Sequence, residues 1–197
     1  ITSLKNILVG GIVMGRRYKL LIRIALACIS VYMGIMAFNT QVSYAATPKQ
    51  LKAAFLVNFM KLTKWPSDVA AFEVGIYKDP SFATLLTKIL TGKKVQGKDV
   101  TVKSQDDAAL FANCHVVFLP KSVEGELGDV FAKIKALGNT PPKLTIGEAD
   151  PFIDAGGIIA FVEAGTKIKF KVNLVPAKAK SLSISAKLLK LAIDVKK

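Results

Sequence analysis

Residues 115–119, His-Val-Val-Phe-Leu, form a continuous apolar run of the kind found in a strand that is buried on both faces. Such strands occur in parallel sheets whose two faces are covered by helices. Strand-like and helix-like patterns alternate on both sides of this run, which favours repeated β-α units. The sequence therefore predicts an α/β fold, a three-layer sandwich in which helices flank a mostly parallel sheet.

The predicted elements follow in order along the chain. An amphipathic helix opens at Thr47-Pro48 and ends at Trp65-Pro66, with Leu51, Ala54, Phe55, Phe59 and Leu62 on its inner face and Lys52, Lys61 and Lys64 outside. Further strands are predicted at 72–77, 98–103 and 143–146, and further helices at 82–90, 106–111 and 124–137. Segments 158–163 and 167–173 predict a C-terminal antiparallel hairpin, and Ser185 is the expected N-cap of a last helix whose inner side holds Leu188, Leu189 and Ala192.

The first forty-five residues have the pattern of an export signal. A basic stretch after Met14 precedes an apolar run at 24–38, and small residues occupy Ser43 and Ala45, the −3 and −1 positions of a signal-peptidase site. A membrane anchor is the alternative, but the run of fifteen residues is shorter than the roughly 20 that a spanning helix needs. We therefore expect cleavage before Ala46 and a periplasmic mature protein.

The domain organisation follows from this assignment. Residues 1–13 precede the first methionine and are expected to be an over-extended gene model, and residues 14–45 are the predicted signal peptide. Residues 46–197 contain no repeat, linker or low-complexity tract, which predicts a single domain.

The composition of residues 46–197 limits the function classes. This part of the chain has 23 Lys, no Arg and 14 acidic residues, so its net charge is +9. A cationic exported protein is attracted to anionic surfaces. The absence of Arg argues against a nucleic-acid partner, because arginine supplies most bidentate contacts to bases and phosphates. No glycine-rich phosphate-binding loop is present either.

Cys114 and His115 are the one cysteine after residue 45 and the one histidine of the chain. Consecutive strand residues point to opposite faces, so these two are not expected to form a nucleophile–base pair. We interpret Cys114 as a buried structural thiol. The acidic residues show no metal-ligand spacing, and we predict no catalytic residue, no metal site and no cofactor.

The segment Lys167-Ile-Lys-Phe-Lys-Val-Asn173 alternates between lysine and apolar residues. In a strand this places the ammonium groups of Lys167, Lys169 and Lys171 on one face, about 6.6 Å apart along the strand. Two interpretations remain open: a basic surface that meets an anionic partner or ligand, or an exposed strand whose lysines prevent aggregation. Elsewhere, Trp65 and Pro66 are expected to anchor the first helix, and Gly156 and Gly157 to form a turn that needs a positive φ.

Three blocks of the chain resemble the YfiR-like family of periplasmic repressors. They are the opening helix ending in Trp65-Pro66, the Cys114-His-Val-Val-Phe118 strand, and a C-terminal region that includes Lys169-Phe-Lys-Val-Asn-Leu174; together they cover most of residues 50–193. The resemblance implies a periplasmic α/β sandwich, often a homodimer, that binds the periplasmic domain of an inner-membrane diguanylate cyclase and holds it inactive. Release would raise cyclic-di-GMP and favour biofilm growth.

The resemblance also implies a disulfide between the cysteine of the Cys-His strand and a position near Gly75. This chain has no thiol at that position, which argues against disulfide-based redox control.

Two functions from different classes remain. The leading hypothesis is a non-enzymatic periplasmic regulator that docks on a membrane sensor, a diguanylate cyclase by the resemblance, and represses it. The alternative is a periplasmic binding protein that takes a small anionic ligand or cell-wall material on the Lys167–Lys171 face. A hydrolase is third, because the single histidine leaves no triad beside Cys114.

Overall fold

The computed structural model describes residues 46–66, 68–165 and 167–197. The predicted signal peptide, with its cleavage residues Ser43 and Ala45, lies outside the described residues, so export stays a prediction. From Ala46 to Lys197 the chain forms one compact unit.

Helices and strands alternate through most of this unit. The helices are α1 Pro48–Lys61, α2 Pro80–Leu90, α3 Leu127–Ala136, α4 Leu174–Ala179 and α5 Ala186–Leu189. The strands are β1 Thr63–Lys64, β2 Phe72–Tyr77, β3 Val100–Gln105, β4 Val116–Leu119, β5 Leu144–Gly147, β6 Ile159–Ala164, β7 Lys167–Asn173, β8 Ser183–Ile184 and β9 Asp194–Lys196. Short 3₁₀ segments occupy Ala108–Phe111, Lys121–Glu126 and Asp150–Phe152.

The main sheet has the strand order β3-β2-β4-β5-β6-β7-β9 among the described residues. Neighbouring strands from β3 to β6 are parallel, β6 and β7 form the predicted antiparallel hairpin, and β9 is parallel to β7. Strands β1 and β8 form a separate two-stranded antiparallel sheet. The predicted α/β sandwich with a mostly parallel sheet and a C-terminal hairpin is therefore confirmed.

Strand β4 lies in the middle of the protein and is buried along its whole length, as its apolar sequence predicts. One core cluster lies between the sheet and helices α1 and α2, and Phe59, Phe118 and Phe170 are among its buried rings. A second cluster lies on the other face, where α3 and the 3₁₀ segments cover β4 and β5. The strand begins one residue later than predicted, because His115 forms a bend.

The predicted inner face of α1 is partly wrong. Ala54 is exposed, whereas Lys52, which was expected to lie outside, is buried. Ala53, Leu56 and Met60 carry the apolar face instead. Lys52 can lie inside because two carboxylates from other parts of the chain neutralise its ammonium group.

Two further boundaries differ from the sequence prediction. The helix expected at 124–137 begins as the 3₁₀ segment Lys121–Glu126, and α3 starts at Leu127. The last helix is capped by Ser185 as predicted, since its Oγ accepts a 3.3 Å hydrogen bond from the Leu188 N–H, but it ends at Leu189. The chain then adds β9, an edge strand of three residues that the sequence did not reveal.

Gly156 and Gly157 have separate structural requirements. Gly156 has φ +101°, the conformation expected of a glycine turn. Gly157 is constrained by space instead, because a Cβ atom there would collide with the ring of Phe152 and lie 2.7 Å from its carbonyl oxygen. The structure therefore accounts for both glycines by the local backbone and packing.

Candidate functional site

Lys167, Lys169 and Lys171 project from one face of β7. Phe170 and Val172 alternate with them and are buried on the opposite face, in the core cluster beneath α1. Lys167 and Lys169 are exposed and Lys171 is half-buried. We term this row of three ammonium groups the lysine ladder.

On the sheet face that carries the lysine ladder, Lys167 and Lys169 are exposed, so this part of β7 is open to solvent in the described residues. The second core cluster on this face takes its strand residues from β2, β4 and β6 and includes none of β7. In register with the lysine ladder, β6 contributes Ala164, Val162 and Ala160. The side chains of β6 beside the lysine ladder are therefore apolar and contribute no charge.

No ladder ammonium lies within 4.0 Å of a carboxylate among the described residues. Asp194 of β9 is in register with Lys171 but does not form an ion pair with it. Residues 1–45, Ser67 and Thr166 include no acidic side chain, so every carboxylate side chain of the protein lies in the described part. The lysine ladder is thus a basic surface without an internal counter-charge.

An ion cluster around the buried Lys52 lies at the carboxyl ends of β5 and β6. The Lys52 Nζ of α1 lies 3.0 Å from Glu148 Oε1 and 2.8 Å from Glu163 Oε1. The backbone N–H of Lys121 donates a 3.2 Å hydrogen bond to the other Glu148 oxygen. The sequence does not reveal this cluster, because Glu163 is 111 residues from Lys52 and no local spacing relates the two residues.

The charges of this cluster stabilise one another. Burial disfavours the charged form of Lys52, but hydrogen bonds and charge interactions with Glu163 and Glu148 outweigh it, so the pKa of Lys52 is raised. The hydrogen bond from Lys52 is the main cause of a lowered pKa at Glu163. Lys52 and Glu163 are therefore both charged at neutral pH.

A cavity of about 300 Å³ adjoins the ion cluster. Besides the three charged residues, its lining includes Lys121, Asp150, Phe161 and Val162. Val162 is in register with Lys169, so this cavity borders the lysine ladder. The ion cluster itself lies on the α1 side of the sheet, because Glu163 is in register with Ile168, whereas the lysine ladder lies on the opposite face.

Cys114 and His115 lie on different sides of the sheet, as predicted. Cys114 is buried in the second core cluster, whereas the His115 ring lies edge-on to the rings of Trp65 and Phe72 on the other side. Burial raises the pKa of Cys114 to about 11. The thiolate is scarce at neutral pH, and the two side chains do not form a nucleophile–base pair.

His115 borders a second cavity, of about 530 Å³, at the amino ends of β2 and β4. Its Nδ1 accepts a 3.2 Å hydrogen bond from the Glu73 N–H, so the neutral ring carries its proton on Nε2. Burial lowers the pKa of His115; the Glu73 charge opposes this shift and Lys143 reinforces it. The remaining polar lining comes from Glu73, Thr101, Asn113, Asn139 and Thr140.

Trp65 and Pro66 follow β1 at the end of the opening helical segment. The Trp65 ring packs against Phe72 with ring centroids 5.2 Å apart, but the residue is half-buried rather than fully enclosed. Its indole N–H is buried and has no hydrogen-bond acceptor among the described residues. The anchoring role of Trp65 and Pro66 stays a prediction.

In the described residues, no group of three His, Cys, Asp or Glu side chains is close enough to hold a metal ion. No helix in the same part of the chain is both long and apolar enough to cross a bilayer.

Comparison with known proteins gives one family match and several structural matches. A family model described as YfiR/HmsC-like matches residues 49–193. Similar solved structures include a conserved domain protein from Vibrio cholerae O1 biovar El Tor strain N16961, at 12% identity and TM-score 0.51. Another is the ABC domain in complex with L-Trp from Streptococcus pneumonia, at 13% identity and TM-score 0.51.

Each of these structural matches covers 76% of this chain and 60% of the solved chain. The chain thus spans less than two thirds of either solved structure, and at such low identity they show a shared fold alone. No curated protein matches the sequence significantly.

Proposed function

The chain belongs to the YfiR/HmsC-like family, and from this membership we propose that it docks on a membrane-bound sensor and represses it. The family consists of periplasmic, non-catalytic regulators in cyclic-di-GMP signalling. We propose that the sensor is an inner-membrane diguanylate cyclase, contacted through its periplasmic domain. Repression then lowers cyclic-di-GMP and limits biofilm formation.

The lysine ladder is the proposed docking surface for the sensor. Lys167, Lys169 and Lys171 have no carboxylate partner within the protein, so an acidic partner surface does not have to compete with internal ion pairs. The apolar side chains of Val162 and Ala164, in register with Lys169 and Lys167, add surface from which a bound partner would displace water. A surface of this kind steers an acidic domain and then holds it, and both effects weaken as salt is raised.

The opposite edge of the sheet supports the proposed homodimer. The Phe72 N–H donates a hydrogen bond to the carbonyl oxygen of Asp99, and the Lys78 N–H donates one to the carbonyl oxygen of Gln105. These bonds fix which residues of β3 are hydrogen-bonded to β2. Alternate β3 residues Val100, Val102 and Ser104 therefore point their N–H and C=O groups away from β2. An antiparallel pairing with a second copy, centred on Val102, would place Val100 opposite Ser104 and no lysine opposite another. Both lysine ladders would stay free in this homodimer.

Deletion of the gene tests the regulatory function. In a strain with the sensor intact, deletion should raise cyclic-di-GMP and surface attachment, and re-expression of the exported protein should reverse both. Expression without residues 14–45 should not, because the sensor's periplasmic domain lies across the membrane from that protein. Unchanged cyclic-di-GMP in the deletion strain would count against repression of a cyclase.

The alternative function is capture of a small anionic ligand or cell-wall material. It is favoured by the cavity of about 300 Å³ beside the lysine ladder, where Lys121 has no ion pair among the described residues. Thermal shift measurements with nucleotides and with muropeptides distinguish the two functions. A saturable rise in melting temperature, lost when Lys121 and Lys169 are changed to Gln, would favour the ligand-binding function.

A further inference from the structure

The net positive charge of residues 46–197 is concentrated in the last 31 residues. Residues 167–197 contain nine lysines and a single acidic residue, Asp194, which gives +8. Residues 46–166 contain fourteen lysines and thirteen acidic residues, which gives +1. Residues 167–197 thus carry +8 of the net charge of +9 that residues 46–197 have.

This charge is not neutralised within the fold. Of the nine C-terminal lysines, only Lys196 forms an ion pair among the described residues, at 3.1 Å from Asp154. In residues 46–166, half of the lysines are paired, namely Lys49, Lys52, Lys78, Lys94, Lys98, Lys103 and Lys133. Eight of the nine C-terminal lysines therefore have no carboxylate partner among the described residues.

Exposed apolar side chains occur in the same segment. The large hydrophobic residues that are exposed in the described structure are Leu110 at 59%, Val175 at 54%, Leu191 at 61% and Ile193 at 47%. Three of these four belong to the C-terminal segment. Leu191 and Ile193 directly precede β9, and Val175 lies on α4, which packs against β9.

These residues lie on α4, after α5 and next to β9; α4 packs against β9, which is an edge strand of the sheet. Exposed lysines on α4, around α5 and after β9 accompany the apolar side chains there. We term this surface the C-terminal cationic edge, defined by Lys178, Lys187, Lys190, Lys197, Val175, Leu191 and Ile193. It is separate in sequence from the lysine ladder, which projects from the face of β7.

We propose that the C-terminal cationic edge binds the surface of an anionic phospholipid bilayer. Lysines without counter-charges are attracted to acidic headgroups, and exposed aliphatic side chains can enter the boundary between headgroups and acyl chains. Specific recognition of a single phosphate group commonly uses arginine, which binds it with two hydrogen bonds, and residues 46–197 contain no arginine. Lysines suit the less specific attraction to a charged bilayer surface. Binding of this kind goes beyond the proposed repression: it would concentrate the protein at the membrane that carries its sensor.

Sedimentation with vesicles tests this proposal on the exported protein. Vesicles of phosphatidylglycerol and phosphatidylcholine should carry the protein down at low salt, and vesicles of phosphatidylcholine alone should not. Added salt should release the bound protein, because it screens the headgroup charge. Equal sedimentation with both vesicle types would overturn the proposal, and so would no sedimentation with either.

Paired variants locate the surface. Lys187→Gln with Lys190→Gln should weaken binding to the anionic vesicles by at least about ten-fold, since each lysine near the surface contributes several-fold. Lys88→Gln with Lys93→Gln removes the same charge from exposed positions near the β3 edge and should change binding little. An equal loss in both pairs would show that only net charge matters, which overturns the assignment to this edge.

The apolar contribution has its own matched control. Leu191→Ser should weaken binding to the anionic vesicles at low salt, although it leaves the charge of the protein unchanged. Leu110→Ser changes a side chain of similar exposure outside this edge and should leave binding unchanged. Because the vesicles contain no protein partner, failure of this proposal would leave the docking function untouched.

Discussion

A Cβ atom placed on Gly75 would lie 3.0 Å from the Sγ of Cys114. The two residues are therefore direct neighbours, at the place where the family resemblance implies a disulfide. In this protein the ring of Phe111 occupies the space beside Gly75, and Cys114 is a free, buried cysteine. Aromatic packing thus stands where the resemblance places a covalent link, and no second cysteine of the described residues can pair with Cys114.

The stability of the exported protein should not depend on the redox state. Adding reductant should leave the melting temperature unchanged, because Cys114 closes no loop. Cys114→Ala should lower the free energy of unfolding by only about 1 kcal/mol, the cost of a small cavity. A steep fall in melting temperature when reductant is added to the unaltered protein would contradict this.

His115 should make stability depend on pH. Its pKa is lowered in the folded protein, chiefly by burial, whereas the unfolded chain titrates it at the ordinary 6.5. Below that pH, unfolding takes up a proton, so the free energy of unfolding should fall from about pH 6.5 downward until the folded pKa is reached. Urea unfolding across this range measures the effect.

His115→Gln is the control for the pH dependence. The Gln side-chain oxygen can accept the hydrogen bond from the Glu73 N–H but does not titrate. In the variant, the free energy of unfolding should not fall between pH 6.5 and the lower pH range where carboxylates titrate. The same decline in both proteins would show that His115 is not its cause.

The ion cluster at Lys52 should contribute to stability. Lys52→Met leaves the mostly buried Glu148 carboxylate without its ammonium partner, and the free energy of unfolding should drop by about 2–3 kcal/mol. This value is below that of a fully buried pair because the Glu163 side chain is 65% exposed. Adding Glu148→Gln should recover part of the loss. Lys61→Met, an exposed change at the end of the same helix, should have little effect; equal losses at both positions would contradict the cluster's role.

Lys143 should be a source of instability. The residue is fully buried, and its ammonium group donates to the Pro141 carbonyl at 3.0 Å without forming an ion pair among the described residues. Burial, reinforced by the charge of Lys180, lowers its pKa. Lys143→Met should therefore raise the free energy of unfolding by about 1–3 kcal/mol. Denaturant unfolding beside exposed Lys135→Met tests this, and a loss of stability would show that the buried amine has a needed partner.

The sequence was sufficient for the fold class, a mostly parallel sheet with a C-terminal antiparallel hairpin. Apolar runs such as 115–119 and the alternation at Lys167–Asn173 report burial directly, because strand residues on a buried face must be apolar. The same local logic identified the Ser185 cap. These features depend on neighbours within a few residues, which is the range over which sequence patterns carry information.

The remaining features depend on contacts between distant segments. Helical periodicity placed Lys52 on the solvent side, and nothing near it in sequence indicates that Glu148 and Glu163 would neutralise it. Strand β9 is three residues long and forms only because Ile193 and its successors pair alongside β7. For the lysine ladder, the sequence predicted the alternation, but only the tertiary fold shows that Lys167 and Lys169 stay exposed and that no carboxylate of the described residues pairs with the ladder.

Complementation of the deletion strain by charge-reversed variants tests docking through the lysine ladder most directly. The triple variant Lys167→Glu, Lys169→Glu and Lys171→Glu should be exported and folded, yet it should fail to lower cyclic-di-GMP because its docking surface has the wrong sign. The matched triple Lys88→Glu, Lys93→Glu and Lys135→Glu makes the same charge change at exposed positions away from the ladder and should restore repression. Equal repression by the two folded variants would contradict docking through the lysine ladder.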